Sequence, residues 1–134
     1  MTEHGYTIKP IGIIRSELTE LADAPMQGTE GGYEAWLELS PEFTQGLAGI
    51  KVGDHLIVLS WLHLAQRDTL QVHPRGRQEA PLKGVFATRS QDRTNPVGLH
   101  EVTVLEVAGK KIKVAPIEAI NGTPIVDIKP VLNR

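Results

Sequence analysis

Apolar residues along this chain recur with period two far more than with the helical period, in short runs closed off by Gly, Pro and Asn. Such runs predict strands, and several in succession favour a sheet that closes on itself or nearly so. Thr7 to Arg15 reads as the first strand. In the second, Tyr33, Ala35, Leu37 and Leu39 alternate with Glu34, Trp36 and Glu38, so one face is apolar and the other mostly polar. His55 to His63 is almost unbroken apolar sequence, the pattern of a central strand buried on both faces. Thr69 to His73 and Gly84 to Thr88 predict two shorter strands.

The end of the chain reads as hairpins: Glu101 to Val107, a turn at Ala108-Gly109-Lys110, Lys111 to Ile120, then Asn121-Gly122 and a last strand from Thr123 to Lys129. Asn-Gly between apolar runs signals a type I′ turn, because both residues tolerate positive φ. Pro116 and Pro124 then belong at a bulge, an edge or a strand start. Helical punctuation is clear only at Ser40-Pro41-Glu42-Phe43, with Ser40 as cap, Pro41 at the first helical position and Gly46 or Gly49 as stop. No repeat or linker divides the chain, so the expectation is one mainly β (all-β) domain over residues 1–134, a small β-barrel with one or two short helices.

Composition narrows the classes of function. A chain of 134 residues, 40% hydrophobic and 22% charged, can bury a core of its own. The absence of cysteine excludes disulfides, thiolate zinc sites and a cysteine nucleophile, and a cytoplasmic location is the expectation. Met1 to Gly5 has no positive n-region leading into an apolar stretch, so no secretory leader is expected. The most apolar segment, Leu56 to Leu64, is interrupted by Ser60 and His63 and falls short of the roughly 20 residues of a membrane helix.

A net charge of −2 argues against non-specific binding to DNA or RNA, which depends on neutralising phosphates. The charge is unevenly spread, however. Arg67, Arg75, Arg77, Lys83, Arg89 and Arg93 outnumber Asp68, Glu79 and Asp92 in residues 67–93, whereas acidic residues predominate in 1–30. A local basic face and a solvated surface of mixed charge are both compatible with that pattern.

Catalytic signatures are mostly missing. His4, His55, His63, His73 and His100 have no His-x-x-x-His or HExxH spacing, so no metal site is expected. Gly109-Lys110-Lys111 lacks the rest of a phosphate loop, and there is no G-x-G-x-x-G, so the Rossmann signatures are absent. Ser60 lies inside an apolar strand with no nucleophile elbow around it.

Two segments stand out from this background. Residues 84–99 run Gly-Val-Phe-Ala-Thr-Arg-Ser-Gln-Asp-Arg-Thr-Asn-Pro-Val-Gly-Leu, and residues 121–130 run Asn-Gly-Thr-Pro-Ile-Val-Asp-Ile-Lys-Pro. In the second, Asp127 and Lys129 share a strand face, where they serve equally well as a salt bridge. In order and spacing the two segments resemble the TrmO (YaeB-like) family, with its G-V-F-A-T/S-R-S-P-H-R-P-N-P-I-G-L and D-G-T-P-I-x-D-I-K-P stretches. The likeness extends to Pro10-Ile11-Gly12-Ile13-Ile14-Arg15-Ser16, Pro25-Met26-Gln27 and Asp54-His55-Leu56-Ile57-Val58-Leu59. Asp92 and Thr94 stand where the family usually has His and Pro, and Val131 where an aromatic often follows. The chain stops at Arg134 without the C-terminal extension of longer bacterial members.

The resemblance implies a non-Rossmann β-barrel that binds S-adenosylmethionine and forms a homodimer. It implies a methyltransferase acting on the exocyclic nitrogen of threonylcarbamoyl-adenosine beside the tRNA anticodon. By motif, the cofactor contacts are Gln27, His63, Leu64, Arg89, Leu99, Ile125, Val126, Asp127 and Ile128. Asp127 and His63 are the candidates for a base, and Arg75, Arg77 and Arg93 for contacts with the anticodon loop. The rival readings are a methyltransferase for a small molecule or another RNA, a non-catalytic S-adenosylmethionine- or RNA-binding module, and a β-barrel interaction domain without cofactor.

Overall fold

The computed structural model of the protein describes residues 5–17, 33–74 and 77–132. Among the described residues eight strands occur in chain order: β1 (Gly12–Arg15), β2 (Ala35–Leu39), β3 (His55–Trp61), β4 (Gln71–Val72), β5 (Lys83–Gly84), β6 (Val97–Ala108), β7 (Lys111–Ala115) and β8 (Thr123–Pro130). Between them lie the 3-10 helices Pro41–Leu47 and Val85–Ala87. Six strands form a closed antiparallel barrel in the order β1-β2-β7-β6-β3-β8, and β4 pairs with β5 in a separate ribbon. Closure leaves none of the six with an unpaired edge.

Alternation along the strands fills the barrel. Ile14, Leu37, Leu56, Val58, Val102, Val104, Ile112, Val114 and Ile125 point inward and form one buried cluster with Leu47, Ile117 and Ala119. So narrow a barrel is filled by side chains and leaves no channel. Gly12 permits its closure at β1, since a Cβ there would run into the Glu38 carbonyl on β2.

Several expectations are corrected. Strand β3 is buried on one face only: Leu56, Val58 and Ser60 are enclosed, while Ile57, Leu59 and Trp61 are half-buried on the outside. A barrel has a single interior, so an apolar run can bury only alternate residues in it. The first strand begins at Gly12 rather than Thr7. The expected strand at 84–88 is mostly a helical turn, closed by Thr88, whose N–H and Oγ1 both donate to the Val85 carbonyl.

The end of the chain is also arranged differently. The β6–β7 hairpin forms, with Gly109 at φ 64°. Strand β7 stops at Ala115, however, and β8 pairs with β1 and β3 instead of β7. Asn121-Gly122 is therefore a corner that turns the chain across the barrel end. Gly122 takes φ 93° there, and the Asn121 side chain accepts from the Ser16 N–H at 3.1 Å. Pro41 does open a helix behind Ser40, but of the 3-10 kind and without a side-chain cap bond.

Candidate functional site

The outer faces of β6, β3 and β8 carry the ends of both unusual segments. Leu59 pairs with Leu99 on one side and Asp127 on the other. Cross-strand partners share a face, so Leu99 and Asp127 stand two strand spacings apart, about 10 Å, with Leu59 between them. One step further along, Ser60 pairs with Ile125, so Val126 is the extra residue of a β-bulge. Bulges re-aim side chains and concentrate near functional sites. Asp127 beside it accepts from the Ile128 N–H through Oδ1 at 2.9 Å and pairs through Oδ2 with Lys129 Nζ at 3.0 Å.

Residues 85–96 are held as one ordered loop by two arginines. Arg93 donates to the carbonyls of Ser90 at 2.8 Å, Val85 at 2.5 Å and Thr88 at 2.6 Å. Arg67 lies over the Trp61 ring at 5.0 Å and donates to the Thr94 carbonyl at 2.7 Å and Asn95 Oδ1 at 3.2 Å. Asp92 accepts from the Gln66 N–H at 2.8 Å. The loop is thereby tied to the segment that leaves β3.

Beneath the loop, the barrel interior ends in a small polar group. Ser60 is fully buried and lies 2.9 Å from His100 Nε2. Burial pulls the His100 ring down from 6.5 to about 4, so it is neutral at physiological pH. Gly98 leaves room for both, since a Cβ there would stand 2.5 Å from Ser60 Oγ and 3.1 Å from His100 Nε2. Sequence reasoning treated Ser60 and His100 separately. Their shared inward parity on paired strands was the signal that could have joined them, once the pairing of β3 with β6 was known.

The candidate residues fall into four groups. Leu99, Asp127 and Val126 come together on the outer face, and the exposed His63 and Leu64 follow the end of β3, where Leu62 N–H donates to the Pro96 carbonyl. Arg89 and Arg77 are exposed. Two other residues correct the expectation. Ile125 is spent on the core at 0% exposure, and its carbonyl accepts from Ile11 N–H at 2.8 Å, so it backs the site without facing it. Arg93 turns inward onto loop carbonyls and is not free to meet phosphates. Gln27 and Arg75 lie outside the described residues. Among the described residues no three His, Asp or Glu side chains converge on a point.

Open concavities lie along β8, toward the end of the barrel away from the loop. A concavity of about 210 Å³ is lined by Ile11, Phe43, Ile50, Ile128 and Asp127 among others. A second, of about 540 Å³, continues past Gly53, His55, Lys129 and Val131. The smaller one, lined mostly by apolar residues with Asp127 as its acidic residue, suits a ligand that has an apolar body and a cationic centre. Asp127 and Ile128 therefore join this space to the outer-face row that ends at Leu99.

A closed antiparallel barrel with a tied strand-end loop, a bulged last strand and, among the described residues, no strand-helix alternation is a small non-Rossmann binding fold. Residues 13–134 match the tRNA-methyltransferase O N-terminal domain, and the chain belongs to that family. It is 40% identical over 130 residues to a probable S-adenosyl-L-methionine-binding protein of Methanothermobacter thermautotrophicus, covering 97% of this chain and 93% of the relative. It is 41% identical over 122 residues to an S-adenosyl-L-methionine-binding protein of Archaeoglobus fulgidus, covering 91% and 86%. A crystal structure of TrmO from Pseudomonas aeruginosa superposes with a TM-score of 0.76 at 29% identity, covering 96% of this chain and 57% of that one. The chain thus spans little more than half the length of that bacterial protein. No helix among the described residues is long and apolar enough to cross a membrane.

Proposed function

We propose that this chain is an S-adenosylmethionine-dependent methyltransferase that acts, as a homodimer, on threonylcarbamoyl-adenosine beside the anticodon of tRNA. The observation that carries the reading is family membership across residues 13–134, with the ends of both family motifs set in one register row, Leu99-Leu59-Asp127. Named relatives that bind S-adenosylmethionine support the cofactor. When bound, it supplies an electrophilic methyl group on a sulfonium, chemistry that needs no metal and no protein nucleophile. The chain's part is then to hold acceptor and donor close and aligned.

The residues present fit that role. Phe43, Ile50 and Ile128 give the smaller concavity apolar walls, and Asp127 is its acidic lining residue. Asp127 can balance a cationic group or hold a proton from an amine acceptor, and exposed His63 is the second candidate for that proton. Arg77 and Arg89 are exposed cations available to a phosphate backbone.

Transfer of labelled methyl from S-adenosylmethionine to tRNA with and without the threonylcarbamoyl group tests the reading. Label in the modified tRNA only is expected, and label in neither removes the tRNA assignment. Light scattering at micromolar concentration should give twice the chain mass, and a monomeric mass contradicts the dimer. One specific observation favours a second reading, a binding module without catalysis: the archaeal relatives of similar length are named for binding S-adenosylmethionine, not for methyl transfer. Tight cofactor binding with no transfer to any tRNA would select it.

A further inference from the structure

The loop at 85–96 opens on a turn whose neighbouring residues face opposite ways. Val85 is 1% exposed, and its N–H donates to the Leu70 carbonyl, whereas Phe86 is 83% exposed. The turn cannot roll over to hide the ring. The Val85 carbonyl accepts from Thr88 N–H, Thr88 Oγ1 and Arg93, and Arg93 closes the loop behind it through Thr88 and Ser90. A large apolar ring is therefore held in water by a fully bonded scaffold, a position that gains nothing for folding.

The surrounding charge indicates what would cover it. The nearest charged residues along the chain on either side are Lys83 and Arg89, each three positions away. Both are exposed, and neither is paired with a carboxylate among the described residues. A second copy seated on Phe86 with the two-fold axis close to the ring would bring these cations near their own images. An exposed π face with an exposed cation three residues away on each side along the chain matches an unstacked base with flanking phosphates.

We propose that Phe86 is a stacking platform for an unpaired nucleobase of the RNA substrate, with Lys83 and Arg89 contacting the flanking phosphates. This role presupposes the RNA acceptor proposed above and assigns it a contact residue, Phe86, that is not among the cofactor contacts the motif implies, while Arg89, which is one of those contacts, would also face a phosphate. Because Phe86 is almost fully exposed, replacing it removes no core packing.

The test is titration of the full chain with a hairpin RNA carrying 2-aminopurine in its single-stranded loop, beside a blunt duplex of equal length. Wild type should bind the hairpin in preference and stack on the probe base, changing its fluorescence. Phe86→Ala should weaken hairpin binding by about tenfold or more and abolish that change. Phe86→Trp should restore binding and have its own fluorescence quenched by RNA. Lys83→Ala and Arg89→Ala should each lower the salt dependence of binding by about one unit of slope. Melting temperature, S-adenosylmethionine affinity and molecular mass should be the same for wild type and both Phe86 variants.

If Phe86→Ala binds the hairpin like wild type, the platform is overturned while the RNA reading stands. If wild type binds no RNA, both fail. If Phe86→Ala loses cofactor affinity or changes molecular mass, the ring covers the cofactor or a second copy, and the proposal is again overturned.

Discussion

Ser60 Oγ and His100 Nε2 meet at 2.9 Å inside the barrel, beneath the loop that carries the family motif. Burial keeps the ring neutral, with its pKa lowered from 6.5 to about 4. On acidification the unfolded chain takes up this proton first. The stabilisation is complete above about pH 6.5, is lost as pH falls toward 4, and amounts to roughly 3 kcal/mol for a shift of this size. Urea unfolding of wild type should therefore show a midpoint that falls between pH 7 and pH 4.5. His100→Gln should start less stable and change less over that interval. Equal slopes for the two proteins would assign the acid sensitivity to other groups.

Gly98 is required by the same contact. Gly98→Ala brings a methyl to within 2.5 Å of Ser60 Oγ, in a fully buried place. Overpacking of this kind costs about 1–3 kcal/mol. Removing the hydroxyl should relieve part of it, so Ser60→Ala combined with Gly98→Ala should unfold at higher urea than Gly98→Ala alone. Strict additivity of the two single changes would show that the clash lies elsewhere.

Arg93 and Arg77 should separate by their effects. The Arg93 guanidinium spans three carbonyls, and the single ammonium of lysine cannot reproduce that fork. Arg93→Ala and Arg93→Lys should each lower stability by about 2 kcal/mol and speed tryptic cleavage at Arg89. Arg77→Glu, at an exposed position, should change stability by no more than about 0.5 kcal/mol and weaken tRNA binding instead. Thermal melts run beside filter binding resolve the two patterns.

Asp127 and Lys129 form an exposed pair, of the sort that contributes about 0–1 kcal/mol. Asp127→Asn should leave the melting temperature nearly unchanged. If the carboxylate serves cofactor or acceptor, calorimetric affinity for S-adenosylmethionine or the rate of methyl transfer should fall about tenfold or more. Unchanged affinity and rate would reduce Asp127 to a partner for Lys129.

Much was legible along the chain itself. Period-two alternation in Ala35–Leu39 marked the inward set, Gly109 marked the β6–β7 turn, and Pro41 marked a helix start. The two motif segments pointed to the family, and Asp127 and Lys129 were placed on one face by parity alone. These features depend on backbone preferences and spacings of a few residues, which the order of amino acids states directly.

The tertiary structure decided the rest. Closure of the barrel gave β8 its neighbours β1 and β3, turned the Asn121-Gly122 corner away from a hairpin and put the Val126 bulge opposite Leu59 and Ser60. It buried Ile125, and the folded loop surrounded Arg93 with carbonyls while leaving Phe86 in water. Register and burial come from packing between residues far apart in the chain. A residue's chemical type states what it can bind, but only the assembled barrel determines which atoms come within reach.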